Sequence, residues 1–189
     1  AADYTKDLGK SIKGLTIGLP DEYFIEGIQQ GVVKAVNEAI EILKKLGAKF
    51  KKISLPHTKY ALPVYYIIGT SEISSNLARF DGIRYGFSEQ NGANNLYEIY
   101  AKSRGKSFGP ETKRRIMLGT YALSAGYFDA YYLQAQKVRT ILREEMYKAL
   151  EGVDLILTST APHPAFKIGK QVDDPLKMYL EDIFMVGPS

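Results

Sequence analysis

Cysteine and tryptophan are absent from the 189-residue sequence, and histidine occurs only twice, at positions 57 and 163. Without cysteine, the chain can form no disulfide, no thiolate metal site and no cysteine nucleophile. No apolar run is long enough to cross a bilayer, and no charged-then-apolar leader opens the sequence. The absence of cysteine fits a reducing compartment without requiring one, and we expect the cytoplasm.

The charged fraction of 24% is ordinary, but the net charge is only +4. The tightest basic run, Lys113 to Arg115, is typical of a solvated helix face, because nucleic-acid footprints are larger. Tyrosine, by contrast, is abundant, with fourteen residues. Most of them fall at helical spacing, which predicts rings at the edge of a core with hydroxyls in water.

The order of apolar patterns predicts an α/β protein. Residues 13–20 and 48–56 resemble strands, and between them residues 32–47 form a strongly periodic helix that stops at Gly47. Strand, helix and strand in this order predict a parallel pair with a right-handed crossover. A third strand is predicted over residues 153–160. Further helices are predicted at 59–80, 95–105, from Pro110, at 122–150 and at 175–186.

The two histidines are weak candidates for catalysis. His57 and His163 lie in proline-flanked loops without metal-ligand spacing, and no base–nucleophile pair accompanies them, so we expect structural or solvent-facing roles. The Gly-Lys-Ser of residues 105–107 looks like the end of a phosphate-binding loop. That motif needs a glycine at position 100, which is tyrosine here, so we reject it.

Two further polar pairs also favour structural roles. Ser74 and Ser75 fall inside a helical pattern without flanking glycines, which favours the interior of a helix over a nucleophile. Asp173 and Asp174 precede Pro175 and a predicted helix, so a helix N-cap is favoured over a metal clamp.

The informative residues are cationic and aromatic. Residues 76–92 place two arginines, two phenylalanines, Tyr85 and the Asp81–Gly82 pair in one short stretch, more than a surface turn needs. Arg139 falls at the border of the apolar stripe of the 122–150 helix. Its guanidinium could lie along the surface with its stem packed, or present its fork to a carboxylate. Composition leaves both readings open.

Four blocks carry a resemblance to a known family: "ARFDGIRYGF", the stretch from "YEIYAKSRG" to "QAQKVRT", "VDLILTSTAPHPAF" and "DDPLKMYLEDIF". Together they resemble the glutamyl-tRNA(Gln) amidotransferase A subunits of the amidase signature family. The resemblance implies a mixed β-sheet core covered by α-helices. It also implies that residues 1–189 are a single segment of the amidase domain. The family's nucleophilic serine, second serine and lysine would lie outside it, leaving no catalytic residue here and an inactive segment.

The resemblance also implies a substrate. Tyr85 matches a position that contacts glutamine, and Arg139 matches the position whose guanidinium holds the α-carboxylate of glutamine. The implied reaction releases ammonia from glutamine to convert Glu-tRNA(Gln) to Gln-tRNA(Gln). ATP and magnesium would be used by the whole complex, with no cofactor or metal in this chain. The implied partners are the B and C subunits, with the tRNA held mainly by the B subunit.

Two other interpretations remain open at this point. The chain could be a non-catalytic helical interaction module that docks through its tyrosine-rich helices. This alternative predicts no small-molecule site near Tyr85 and Arg139. It could also belong to an amidase that acts on another amide, which predicts no preference for glutamine.

Overall fold

The computed structural model describes residues 3, 5–24, 27–169 and 175–188. The chain divides into two compact units. We call Ala1–Leu62 together with Ile141–Ser189 the sheet unit, and Pro63–Thr140 the helical unit. The predicted N-cap at Asp173 and Asp174 lies outside the described residues. None of the described helices combines the length and apolar character needed to span a membrane.

The sheet unit is built on three parallel strands: β1 (Thr16–Pro20), β2 (Lys49–Ile53) and β3 (Leu155–Ile156). Their order is β2-β1-β3, so β1 is the central strand. Ile17 pairs with Phe50 on one side and with Leu155 on the other. The predicted parallel pair and the placement of the third strand are confirmed. The family's mixed sheet is represented, among the described residues, only by parallel pairs.

The crossover between β1 and β2 is helix α1 (Gln30–Lys45), and it ends at Gly47 as predicted. Ile40 is buried on its inner face, whereas Val33 and Leu46, which the periodicity places on the same stripe, are exposed. The buried part of the apolar stripe of α1 is therefore smaller than the sequence pattern indicates.

The core of the sheet unit forms where chain segments leave their strands. Tyr23 lies in a 3₁₀ turn directly after β1, and Leu55 follows β2. Both pack against Phe184, which lies beyond the short helix α6 (Pro175–Leu180). The rings of Tyr23 and Phe184 have centroids 5.7 Å apart at a tilted angle. The predicted helix over 175–186 is shorter in the structure and continues as turns.

The helical unit contains most of α2 (Ala61–Leu77), then α3 (Leu96–Ser107), α4 (Pro110–Ala122) and the first turns of α5 (Gln134–Leu150). Helix α3 starts at the N-cap Asn95, whose side chain accepts from the Glu98 N–H. It continues through Gly105, so the predicted stop at that glycine is wrong. Pro110 opens α4 as predicted, where a proline costs no helical hydrogen bond.

The predicted single helix over 122–150 is wrong in its first third. Helix α4 ends at Ala122, and Gly126 then takes a φ of +86°, a left-handed conformation that an α-helix cannot contain. The chain resumes as a π-helical turn over Asp129–Leu133, in which the Leu133 N–H donates to the carbonyl of Phe128 at 3.0 Å. The apolar periodicity of the sequence does not reveal this wider turn, because the apolar side chains still fall on one side of the helix.

Candidate functional site

Tyr85 lies in the loop between α2 and α3, and the buried carboxylate of Asp81 organises this loop. Asp81 Oδ1 accepts hydrogen bonds from the backbone N–H groups of Ile83 at 2.8 Å and Arg84 at 2.9 Å. Asp81 Oδ2 lies 3.4 Å from Arg84 Nε. The hydrogen bonds from these backbone groups hold the pKa of Asp81 down to about 2. The carboxylate is therefore ionised and acts as a fixed local acceptor.

Gly82 allows this loop to lie against α3. Its φ is +80°, and a side chain there would collide with the hydroxyl of Ser103 on α3. The Ser103 hydroxyl in turn accepts from the Glu89 N–H at 2.9 Å. Only glycine satisfies both the backbone conformation and the close approach, so the loop is anchored where it leaves Asp81.

The loop leaves the ring of Tyr85 open to solvent, with 56% of the residue exposed. The backbone carbonyl of Tyr85 accepts from the Gly82 N–H at 3.2 Å, which closes a turn beneath the ring. An exposed aromatic ring with a hydroxyl, carried on a fixed backbone, can contact a small polar ligand at little cost in conformational entropy.

Arg139 lies in the second turn of α5, one turn beyond the buried Ala135. Its side chain is exposed, and it forms no hydrogen bond or ion pair with any residue that the structure describes. A guanidinium carries five donors in a rigid fork that matches a carboxylate. An exposed guanidinium fits both readings left open by the sequence, one lying along the surface with its stem packed and one presenting its fork to a carboxylate.

The structure places Tyr85 and Arg139 in the same compact unit. Within the described ranges, no hydrogen bond or cation–π contact joins their side chains. The two residues offer a hydroxyl, an aromatic face and a cationic fork. This set can bind a small carboxylate, but it supplies neither a nucleophile nor a base.

The rejected motifs take structural roles. His57 Nδ1 lies 2.8 Å from Glu145 Oε1, and His163 Nδ1 lies 3.3 Å from Glu181. Each histidine therefore joins a loop to a distant segment of the sheet unit. No metal-binding group of three or more His, Asp and Glu residues occurs in the part of the chain that the structure describes.

The remaining motifs lie within helices. The Gly-Lys-Ser of residues 105–107 belongs to α3 and is not a loop. Ser74 lies inside α2, where its hydroxyl meets that of Thr120 on α4 at 2.8 Å. The basic run lies on α4, where Arg114 and Arg115 both pair with Glu111. These residues support the fold of the helical unit.

Sequence reasoning missed two features near the candidate residues. The first is the bonding role of Asp81, for which the Asp–Gly pair was the available signal. The second is a cluster of the rings of Tyr121, Tyr127 and Tyr131, with Tyr121 and Tyr127 centroids 4.4 Å apart. A hydrogen bond with Tyr127 raises the pKa of Tyr121 to about 12. No local sequence pattern indicates that these hydroxyls meet, because the break at Gly126 brings them together.

These features fit the comparison with known proteins. The chain belongs to the amidase family, whose sequence profile, named Amidase, matches residues 1–188. It is 58% identical over 185 residues to the A subunit of glutamyl-tRNA(Gln) amidotransferase from Carboxydothermus hydrogenoformans, covering 98% of this chain and 38% of that protein. The corresponding protein of Geobacter metallireducens, which has the same name, is 58% identical over 184 residues, covering 97% and 38%. The chain thus spans about 38% of the length of these curated relatives.

Solved structures agree on the fold. The A subunit of glutamyl-tRNA(Gln) amidotransferase from Thermotoga maritima superimposes with a TM-score of 0.70 at 35% identity, covering 99% of this chain and 35% of that one. A bacterial aryl acylamidase of the amidase signature family superimposes with a TM-score of 0.61 at 19% identity, covering 88% and 31%. The predicted family and its α/β fold are therefore confirmed.

Proposed function

We propose that this chain is the glutamine-recognising segment of a glutaminase subunit. In the complete enzyme, that subunit would supply ammonia for the conversion of Glu-tRNA(Gln) to Gln-tRNA(Gln). The observation that carries the proposal is identity of 58% to such a protein over 98% of this chain. The matched region covers 98% of the chain and so includes the candidate site as well as the scaffold.

The site residues are assigned from the resemblance to the family, and their chemistry agrees with the assignment. Free glutamine differs from a peptide amide in having an α-carboxylate and an α-ammonium. A site that selects glutamine therefore needs a donor for the carboxylate, and the open guanidinium of Arg139 can bind it with two parallel hydrogen bonds. The hydroxyl of Tyr85 supplies one further polar contact. We assign the nucleophile, base and oxyanion donors to parts of the enzyme outside this segment.

The proposal extends to the complex. The B and C subunits would be the partners, the B subunit would hold the tRNA, and ATP and magnesium would be used by the assembled enzyme. The small net charge agrees with a segment that does not itself bind the tRNA, because contacts to many phosphates need many cations.

The test is substitution of Arg139 in the full-length protein in complex with its partners. Arg139→Ala should raise the KM for glutamine about 10- to 100-fold, because a charge-assisted bidentate contact is worth about 1.5–3 kcal/mol. Arg139→Lys should restore only part of this, since a point charge cannot reproduce the fork. Tyr85→Phe should cost less, about the value of one neutral hydrogen bond, roughly 0.5–1.5 kcal/mol.

Lys137→Ala is the matched control, because it removes the same charge from the same helix. Lys137 lies about 200° around the helix axis from Arg139. It should leave the KM for glutamine unchanged. Supplying ammonium in place of glutamine should bypass all four substitutions. Unchanged glutamine kinetics in Arg139→Ala would remove Arg139 from the site, and faster hydrolysis of another amide would favour an amidase of different specificity.

A further inference from the structure

Asp81 is the only charged side chain that is buried among the described residues, with 3% of the residue exposed. A carboxylate removed from water is costly unless hydrogen bonds replace its hydration. Such a residue therefore marks a place where the fold gains something specific from a negative acceptor.

Every partner of this carboxylate belongs to the loop that carries Tyr85. Its hydrogen bonds come from the backbone of Ile83 and Arg84, two and three residues further along the chain. The ion pair with Arg84 is weakly held, because the side chain of Arg84 is 74% exposed and its Nε lies 3.4 Å away. The carboxylate thus acts on the backbone of the loop, and it ties the loop to no other element.

The other end of this turn is anchored independently. Arg104 on α3 donates from one guanidinium nitrogen to the carbonyls of Leu77 at 2.7 Å and Phe80 at 3.1 Å. These bonds fix the end of α2, where the chain enters the loop. Gly82 also packs against Ser103 of α3. The start of the loop is therefore held by α3, and the turn that leads to Tyr85 is held by Asp81. The conformation at Tyr85 is then held by the Asp81 hydrogen bonds, together with the bond from the Gly82 N–H to the Tyr85 carbonyl.

We propose that Asp81 is a positioning residue for glutamine recognition, and that its hydrogen bonds to the N–H groups of Ile83 and Arg84 hold Tyr85 in its binding orientation. This inference rests on the proposed function. Asp81 makes no contact with substrate in this scheme. Its loss lets the turn relax, so that the ring of Tyr85 spends less time in the productive position and glutamine binds more weakly.

The test uses the full-length protein with its partners. Asp81→Ala should raise the KM for glutamine about tenfold while kcat changes little, because binding and not bond cleavage depends on Tyr85. Asp81→Asn keeps an Oδ1 acceptor for both N–H groups, so it should restore most of the affinity. With ammonium as the nitrogen donor, both variants should match the parent enzyme.

A double-mutant cycle separates positioning from general damage. In a Tyr85→Ala background, Asp81→Ala and Asp81→Asn should cause no further rise in KM, because the ring that they position is gone. Glu98→Ala is the matched control. Glu98 is another carboxylate of the helical unit, which accepts from the Asn94 N–H and from Lys102, and its loss should lower the melting temperature and leave KM unchanged.

Three results would overturn the inference. One is a KM effect of Asp81 substitution that persists undiminished without the Tyr85 ring. Another is a normal KM in folded Asp81→Ala protein when Tyr85→Ala binds glutamine weakly. That result would contradict the role of Asp81 and leave the proposed function intact. The third is normal KM in Tyr85→Ala itself, which removes Tyr85 from the site. If Asp81→Ala does not fold, Asp81→Asn answers the same question. Its smaller rise in KM is then compared between the parent protein and the Tyr85→Ala background.

Discussion

The two units of the chain differ in how they bury their aromatic side chains and in their net charge. The sheet unit has a core in which Tyr23, Leu55 and Phe184 are almost fully removed from solvent. The helical unit leaves many aromatic rings open, among them Tyr85, Tyr97 and Tyr121. Residues 63–140 also contain ten Lys and Arg against six Asp and Glu, so they carry the whole net charge of +4. The rest of the chain has fifteen of each sign and is neutral.

This contrast shows where binding residues can be accommodated. An aromatic ring or an arginine that must meet a ligand cannot also be used in the core of the same segment. The helical unit places part of its stabilisation in short-range polar contacts, such as those of Asp81 and Glu98, and leaves several of its rings exposed. The sheet unit adds apolar burial to polar contacts of its own, such as that between His57 and Glu145.

The largest expected effect concerns catalysis by these 189 residues alone. We expect no glutaminase activity, because the resemblance to the family places the nucleophilic serine, the second serine and the lysine outside these residues. Loss of a single triad member typically costs on the order of 10⁴-fold or more. Glutamate release from glutamine by the purified polypeptide should match a heat-killed sample. Turnover that is proportional to protein and survives repurification would show that one unit contains a complete site.

The next effect compares burial in the two units. Phe184→Ala in the sheet unit should lower the free energy of unfolding by about 3–5 kcal/mol, the usual cost of removing a buried phenylalanine. Phe184 is 2% exposed, whereas Tyr97 in the helical unit is 79% exposed. Tyr97→Ala should therefore change stability by less than about 0.5 kcal/mol. Urea unfolding of the full-length protein measures both, and similar losses would mean that Tyr97 is covered in the complete enzyme.

The sheet was largely predictable from the sequence, and the reason is local. Strand β1 appears as a short apolar run, β2 mixes apolar residues with exposed lysines, and α1 between them leaves only one compatible topology. The extents of helices were less predictable. Gly105 lies inside α3 because flanking turns compensate its low helix propensity, whereas Gly126 breaks the chain by taking a positive φ. The residue type is the same, and only tertiary context separates the two outcomes.

The membership of the candidate site stays a prediction, and the hydrogen bonds that build its loop were not predictable from the sequence. Tyr85 and Arg139 came from the resemblance to the family, since composition alone left the role of Arg139 open. The carboxylate that holds the loop depends on hydrogen bonds to backbone groups, and these carry no residue-specific signal beyond the Asp81–Gly82 pair. The π-turn before α5 leaves no mark on the apolar periodicity, so the sequence pattern could not predict it.

The smallest expected effect is a difference in acid sensitivity between the units. Hydrogen bonds from Lys102 and Asn94 hold the pKa of Glu98 down to about 2, as the loop backbone does for Asp81. Because both values lie below those of the unfolded chain, the contribution to stability is fully present above about pH 4.5 and is lost as the pH falls toward 2. Hydrogen exchange, corrected for its intrinsic pH dependence, should show peptides spanning residues 81–104 opening across this window before the β2 peptide Lys49–Ile53, which contains no carboxyl group. Glu98→Gln should reduce this pH dependence at the start of α3 and leave β2 unchanged. Simultaneous opening of both units would instead assign the acid transition to the molecule as a whole.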